Sequence, residues 1–524
     1  MPTPSSSVVL HDLSFAWPDG TPALDHVSGS FGHGRTGLVG ANGTGKSTLL
    51  RLVAGQLQPT GGSVTVRGAV DLLPQRLTAT PGSTLAGLLG ITATRAALRA
   101  IEAGSTDPAH FDAVGSDWDV EERAVAQLAA LGLPTDLDRP VIALSGGEAV
   151  LAAIAGVRLR GADVALLDEP TNNLDIDARA RLHEVVRQWR GTLVVVSHDL
   201  ALLDLMDSTA ELREGRLTTF GGPYSAYREW LDAEQAAARQ ALRTAEQTLR
   251  REKRERIRAE ERIAHSERQG RKDRANARYA PIVFNARRNA AEKSQAARRG
   301  LADARIGTAQ TAVDVAEEAV RDDDTIRVRL PDPRVPRGRR LAELPSSDGR
   351  DVVVQGPERI GLVGANGVGK TSLLNRVLPG LTVRVGHLPQ RIDLDDGATV
   401  LETVRAASPH LPPGEVRNRL AWLLIRGDMV DRQVGTLSGG ERFRVALAGL
   451  LLAEPPPELL VLDEPTNDLD IPSVDELVGA LAAYRGGLLV VSHDQVFLDR
   501  LGLDAVVRLT PDGRLEQEWT PERP

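Results

Sequence analysis

Two stretches of this 524-residue chain combine glycines, a lysine and a hydroxyl at a spacing suited to phosphate chemistry. Gly40-Ala41-Asn42-Gly43-Thr44-Gly45-Lys46-Ser47 fits the pattern GxxxxGK[ST], and Gly364-Ala365-Asn366-Gly367-Val368-Gly369-Lys370-Thr371 fits it again. The glycines let the backbone turn tightly enough for successive N–H groups to point at phosphate oxygens. A helix opening at Thr48, and its counterpart at Ser372, would add the positive end of its dipole. Lys46 and Lys370 can then reach the β- and γ-phosphates, and the Ser47 and Thr371 hydroxyls can ligate Mg²⁺. A chance glycine-rich turn would not recur as Gly-Leu-Val-Gly-Ala-Asn-Gly in both halves. The chain has only five lysines, and two of them fill these positions, where a compact mobile ammonium is useful.

Carboxylates recur at matched places. The apolar run Val164-Ala165-Leu166-Leu167 ends in Asp168-Glu169, and Leu459-Leu460-Val461-Leu462 ends in Asp463-Glu464. An aspartate at a buried strand end can hold the Mg²⁺ shell, and the next glutamate can orient and deprotonate water. Pro-Thr-Asn and then Leu-Asp follow each pair, ending at Asp175 and Asp470. About 30 residues beyond each Mg²⁺ aspartate stands Val-Ser-His-Asp, with His198 and His493 after Val-rich strands. A lone histidine is usually structural; two at matched positions can sense a γ-phosphate. Ser145-Gly146-Gly147-Glu148 and Ser438-Gly439-Gly440-Glu441 each follow a leucine and open a helix. Their hydroxyls, N–H groups and helix dipoles make a second anion cradle. Gln75 and Gln390 each close a Leu-Pro-Gln string.

The elements that must position these residues are parallel strands alternating with helices, an α/β design. At 524 residues the chain exceeds one core, so two or more domains are expected. Hydrophobic content of 41% and charged content of 26% are ordinary for a globular protein. No run approaches the roughly 18 apolar residues of a membrane span, and Met1–Ser7 is polar, so a cytoplasmic chain without a membrane domain is expected. With no cysteine, disulfides, thiolate zinc sites and a cysteine nucleophile are excluded.

Between the halves the composition shifts to Ala, Arg, Glu and Gln. Leu231, Ala238, Leu242, Ala245 and Leu249 form one narrow helical stripe, and Leu301, Ala304, Thr308, Val315 and Ala319 form another. An antiparallel hairpin is predicted, with arms over about 224–264 and 286–321 and a tip near 266–285, where Gly270 and Pro281 interrupt helicity. Over 250–305 there are 18 Lys/Arg against 8 Asp/Glu, in a chain of net charge −8. A basic projection on an acidic body points to a polyanion. The candidate RNA-binding cations are Arg268, Arg271, Lys272, Arg274, Arg278, Arg287 and Arg288, with Tyr279 and Phe284 able to stack on bases.

The twin phosphate loops and LSGGE strings resemble two ATP-binding cassettes in tandem. With the basic linker that follows Gly221-Gly222-Pro223-Tyr224 and no membrane domain, the whole chain resembles the ABC-F ATPases. The resemblance implies a first cassette over 1–222, a hairpin linker over 223–323 and a second cassette over 324–524. It also implies ATP and Mg²⁺ as ligands and pairing of the cassettes within one monomer. Trp17 would stack on adenine, and Gln75 and Gln390 would sense Mg²⁺ and the attacking water. Each signature serine would close on the γ-phosphate held by the opposite cassette. The implied partner is the ribosome, its rRNA and P-site tRNA, where such proteins relieve stalling or dislodge antibiotics.

Departures from the family pattern matter. The first signature continues Ala149-Val150-Leu151 where the second has Arg442-Phe443-Arg444. The Lys370 site, which the first signature completes, is therefore expected to turn over differently. The second half shows no aromatic at the adenine-stacking place, and no extended C-terminal domain is expected. Gln75 lies 70 residues before Ser145, but Gln390 only 48 before Ser438. The surplus falls near 90–125, as a short arm or as longer loops. The ATPase of a drug exporter would share the cassettes but has no use for a long basic hairpin. Replacing Arg271, Lys272, Arg274 and Arg278 by glutamine should weaken ribosome binding and lower its log–log salt slope by roughly 3, read by co-sedimentation across a salt series. An unchanged slope would contradict an RNA-facing hairpin.

Overall fold

The computed structural model describes residues 7–75, 77, 82–172, 174–275, 281–320, 330–423, 425–467 and 469–519. Residues 1–225 and 325–524 form one compact unit, and 226–324 a second.

In the first unit each half is built on a six-stranded sheet. In the first cassette the strands run in the order Val70–Leu73, Val164–Asp168, Thr192–Val196, Gly34–Val39, Ser208–Arg213 and Arg216–Phe220. The first five are parallel and the last is antiparallel. Val164–Asp168 and Thr192–Val196 are buried at every residue, the mark of parallel strands covered on both faces. The second cassette repeats the order with Val385–Leu388, Leu459–Asp463, Gly487–Val491, Arg359–Val363, Ala505–Leu509 and Leu515–Trp519. In each sheet the strand ending in Asp-Glu, the strand leading to the histidine and the strand leading to the phosphate loop are neighbours. Parallel strands put all three carboxyl ends at one edge, where open α/β sheets bind ligands.

The halves differ at their flanks. The first carries a three-stranded antiparallel sheet, with Val8–Ala16 between Pro22–Phe31 and Gly61–Val66. Among the described residues, the second has Arg340–Leu344 paired with Val352–Gln355 alone. The surplus of the first half is neither an extended loop nor a separate arm. It folds as helices Thr92–Glu102, Pro108–Val114 and Val120–Ala130, and Val120, Ala124 and Leu128 join the core around Leu89 and Ile154. Arg95 fastens this part, donating to Glu121 Oε1 at 2.5 Å and to both Asp138 oxygens at 2.5 and 2.8 Å.

The second unit is two long helices, Tyr224–Ala275 and Pro281–Glu318. Leu249 packs with Ala309 and Val313, beside Leu242, Ala245 and Ile306. Nearer the tip, Arg256 pairs with Asp303 at 2.9 Å, so the arms run antiparallel. Two expectations are corrected. The first helix runs through Gly270, because an interior glycine costs only about 1 kcal/mol. Pro281 starts the second helix, a place where its missing N–H costs nothing. The second arm buries Ala309 and Val313 and half-buries Ile306, whereas Leu301 and Val315 are exposed. Leu242, Ala245 and Leu249 on the first arm select that face. Arg268 is exposed. The side chains of Arg271, Lys272, Arg274, Phe284, Arg287 and Arg288, and residues Arg278 and Tyr279, lie outside what is described.

Arg95→Ala leaves Glu121 without the cation it pairs with and Asp138 with only the 3.3 Å contact to Arg99. It should lower the melting temperature of the first cassette by roughly 2–4 °C per kcal/mol lost and speed proteolysis within 92–114. The Arg95 guanidinium holds Asp138 down at about 2. The difference from wild type should therefore be full above the unfolded-chain value of about 3.9 and shrink as pH falls through 2. Equal melting at neutral pH would contradict this role.

Candidate functional site

The first phosphate loop leaves Gly34–Val39 and enters the helix Lys46–Val53. Gly40 has φ +153°, and a Cβ there would stand 2.5 Å from the Leu212 carbonyl oxygen. At Gly45, φ +93°, a Cβ would meet the Ala23 carbonyl oxygen at 2.6 Å. Glycine is required at both places by space as well as by conformation. Gly43 is also left-handed, and Thr44 Oγ1 donates to the Ala41 carbonyl at 2.9 Å. Lys46 is buried and donates to the carbonyls of Gly40 and Ala41 at 2.6 and 3.0 Å. The second loop matches it: Lys370 donates to Gly364 and Ala365 at 2.8 and 3.1 Å, Gly367 is left-handed, and Val368 N donates to Ala365 O at 3.4 Å. Thr48 and Ser372 sit in the first turn of each helix. Gly369, φ +100°, has open space where Gly45 meets the start of Pro22–Phe31; the strand in that place in the second half, Val352–Gln355, is shorter.

The turn between Val8–Ala16 and Pro22–Phe31 carries the adenine candidate. Trp17 closes a tight turn, with Gly20 N donating to its carbonyl at 2.8 Å. It stands T-shaped against buried Phe15 at 5.2 Å and keeps 37% of its surface exposed, free to stack on a ring.

The acids lie where the strand ends place them. Thr371 Oγ1 donates to Asp463 Oδ2 at 2.8 Å, and Ser47 donates to Asp168. The other oxygen of each aspartate, Oδ1, is buried without a hydrogen-bond partner. A carboxylate with one lone oxygen beside a hydroxyl fits Mg²⁺ held jointly with phosphate oxygens. Glu169 and Glu464 both adopt φ +49°, a conformation non-glycine residues rarely hold. Their N–H groups donate to Val196 and Val491 carbonyls at 2.8 Å, which turns the side chains off the strand. His198 Nε2 and His493 Nε2 stand 3.1 Å from Glu169 Oε1 and Glu464 Oε1. Gln75 and Gln390 are exposed, two residues beyond the strands that flank the Asp-Glu strands.

Burial sets the charges. It pushes both histidines down to about 4, helped by the neighbouring lysine, so each imidazole is neutral at pH 7. It lowers Lys46 and Lys370, with the acids around them opposing. It raises Asp168, against the Ser47 hydrogen bond, and lifts Glu464 to about 7 despite Lys370. A glutamate near neutrality beside a neutral imidazole can take a proton from water.

Both signatures are helix N-termini with capping boxes. Ser145 Oγ accepts from Glu148 N at 3.2 Å ahead of Gly146–Arg160. Ser438 Oγ accepts from Glu441 N at 3.4 Å ahead of Gly439–Leu451. Gly146 and Gly439 have nothing near a built Cβ. A Cβ on Gly147 would meet its own Ala178, and one on Gly440 would come within 4.0 Å of Ser473 and of Asn42 Nδ2 of the first cassette. Arg442 pairs with Asp396, and Arg444 reaches Glu476 at 3.5 Å. The arginines absent from the first signature thus hold their own cassette together.

Sequence reasoning left Asp175 and Asp470 without a role. Asp470 Oδ2 accepts from Asn42 N at 2.7 Å, and Asp175 Oδ2 from Asn366 N at 3.3 Å. Each phosphate loop is met by an aspartate from the other half. The signal was available: both close a repeated Leu-Asp and both cap a helix.

A family model described as ABC transporter matches residues 24–172 and 349–467. The tylosin resistance ATP-binding protein TlrC of Streptomyces fradiae is 34% identical, over 94% of this chain and 95% of its own. The energy-dependent translational throttle protein EttA of Mycobacterium tuberculosis is 29% identical, over 91% and 87%. ABC transporter F family member 5 of Arabidopsis thaliana is 29% identical, over 98% and 76%. An archaeal ribosome recycling factor, aABCE1, solved with the stalk protein aP1, superposes with a TM-score of 0.56 at 21% identity, over 97% of this chain and 89% of that one; this shows a shared fold. The repeated loops, acids and signatures, on two cassettes that exchange aspartates, belong with these sequences: the chain is a member of the ABC transporter family, of its F subfamily.

Proposed function

We propose that the chain hydrolyses ATP at two composite sites and uses cassette closure to act on the ribosome in the cytoplasm. The observation that carries this reading is the exchange of Asp470 and Asp175 onto the opposite phosphate loops, since it makes each site incomplete without the other half. The first site joins Lys46, Ser47, Gln75, Asp168, Glu169 and His198 to Ser438–Gly440. The second joins Lys370, Thr371, Gln390, Asp463, Glu464 and His493 to Ser145–Gly147. Lysine and loop N–H groups bind the β- and γ-phosphates. Asp168 with Ser47, and Asp463 with Thr371, would hold Mg²⁺, which would supply charge neutralisation at the phosphates. The glutamate takes the proton of the attacking water, and the signature serine and N–H groups close over the γ-phosphate. The chain pairs its cassettes internally and works as a monomer.

The target is supported by kinship and charge. One relative bears the name of a tylosin resistance protein, another that of a translational throttle. The basic hairpin matches an RNA partner, and its arms are continuous with different cassettes, so closure can be transmitted to it. It reaches toward the P-site tRNA and the peptidyl-transferase region to relieve stalling or displace an antibiotic.

Glu169→Gln with Glu464→Gln removes the base and keeps the shape. Turnover should fall by roughly 10² or more, ATP should still bind, and the protein should accumulate on ribosomes with ATP; Lys46→Ala with Lys370→Ala should not. Co-sedimentation with and without ATP reads both. Wild-type turnover in the Gln variant would overturn the glutamate role, and ATP-independent ribosome binding would overturn the coupling. Removing Mg²⁺ with a chelator should abolish turnover, and Asp168→Asn with Asp463→Asn should raise the Mg²⁺ needed for ATP binding by about tenfold or more.

A further inference from the structure

The two halves are not equivalent where the switch histidines meet the interface. Asp199 follows His198 and caps the next turn, accepting from Leu202 N at 3.0 Å. Asp494 follows His493 and does the same for Phe497 N at 3.0 Å. Asp199 is buried and Asp494 half-buried. Burial raises Asp494, and the charge of Asp199, on the other cassette, adds to that rise. Facing carboxylates with little solvent repel unless a cation stands between them.

The first cassette supplies that cation. Arg179 and His183 lie on the helix Ile176–Arg187, and Arg179 Nε and His183 Nε2 each stand 3.4 Å from Asp199 Oδ2. Arg179 is one helical turn beyond Asp175, so it shares the face that Asp175 presents to Asn366. Its charge also acts across the interface, favouring the ionised forms of Asp494 and Glu464 and disfavouring protonation of His493. The matching positions of the second cassette are Val474 and Val478, both packed on its apolar core. Neither valine can offer the Lys46 site a cation.

We propose that Arg179 is a one-sided cross-cassette clamp: a positioning residue that neutralises the facing Asp199 and Asp494 and ties closure of the Lys370 site to the first cassette. This rests on ATP-driven closure as set out above. Opening the cassettes would part Arg179 from Asp494 and Glu464 while leaving it with Asp199, so the clamp forms only on closure. It gives the Lys370 site, whose opposing signature lacks arginines, a cation of its own.

The test uses the full-length Glu169→Gln, Glu464→Gln protein as parent, with one engineered cysteine on each cassette, in a chain that has none of its own. Energy transfer between labels then reports closure as ATP is added. Arg179→Gln should raise the ATP concentration for half-closure by about tenfold, while Arg179→Lys stays near the parent. Adding Asp494→Asn, which can still cap its helix, should bring Arg179→Gln back to within about threefold. Melting of the nucleotide-free variants should match the parent; if Arg179→Gln melts early, Arg179→Lys against Asp494→Asn carries the comparison. Closure of Arg179→Gln like the parent would overturn the clamp. Failure of Asp494→Asn to restore it would make Arg179 a packing residue and also overturn it. A parent that does not close with ATP would overturn the closure reading and the clamp together.

Discussion

Two aspartates, Asp175 and Asp470, each serve two masters, and the sites depend on that division. One oxygen of each caps its own helix, accepting from Ala178 N at 2.9 Å or Ser473 N at 3.0 Å. The other oxygen accepts an N–H from the phosphate loop of the opposite cassette. A carboxylate fixed by a helix cap is preorganised, so little entropy remains to be lost when the second bond forms. The same helices lie against the signatures: a Cβ on Gly147 would come within 3.2 Å of Ala178, and one on Gly440 within 3.6 Å of Ser473. Signature and aspartate therefore arrive at the opposite loop as one piece.

Within each half the chemistry is held by strand ends. Asp168 and Asp463 stay in the ladder, whereas Glu169 and Glu464 leave it in a strained left-handed conformation. The strain is held by the N–H bonds to Val196 and Val491, which lead straight to the histidines. Acid and imidazole are thus set by neighbouring strands of the same sheet, and their spacing cannot drift without disturbing the core.

Most of this was legible in the sequence, because it is local. Glycine spacing, strand-end carboxylates and helix-opening serines declare themselves wherever one backbone geometry needs particular residue types, and the chain writes each of them twice. What was not legible depends on partners distant in sequence. The exchange of Asp175 and Asp470 joins residues 191 and 428 positions apart. The buried face of the second hairpin arm was chosen by Leu242 and Leu249 across the pair, whereas periodicity alone pointed to Leu301 and Val315. The helices at 92–130 looked like either an arm or loops until the Arg95 pairings with Glu121 and Asp138 fixed them.

Repetition also makes the differences readable. Lys370 Nζ lies 2.9 Å from His493 Nε2, Trp17 has no counterpart in the second half, and Arg179 answers to a valine. Two sites of one design have been given different surroundings. The central claim, that each site is shared between cassettes, is tested most directly by determining the structure of the Glu→Gln double variant with ATP. The γ-phosphate bound at Lys46 should lie within hydrogen-bond reach, about 3.2 Å, of Ser438 Oγ, and that at Lys370 within reach of Ser145 Oγ. ATP held by a phosphate loop with its own signature, or with neither serine in reach, would contradict the account.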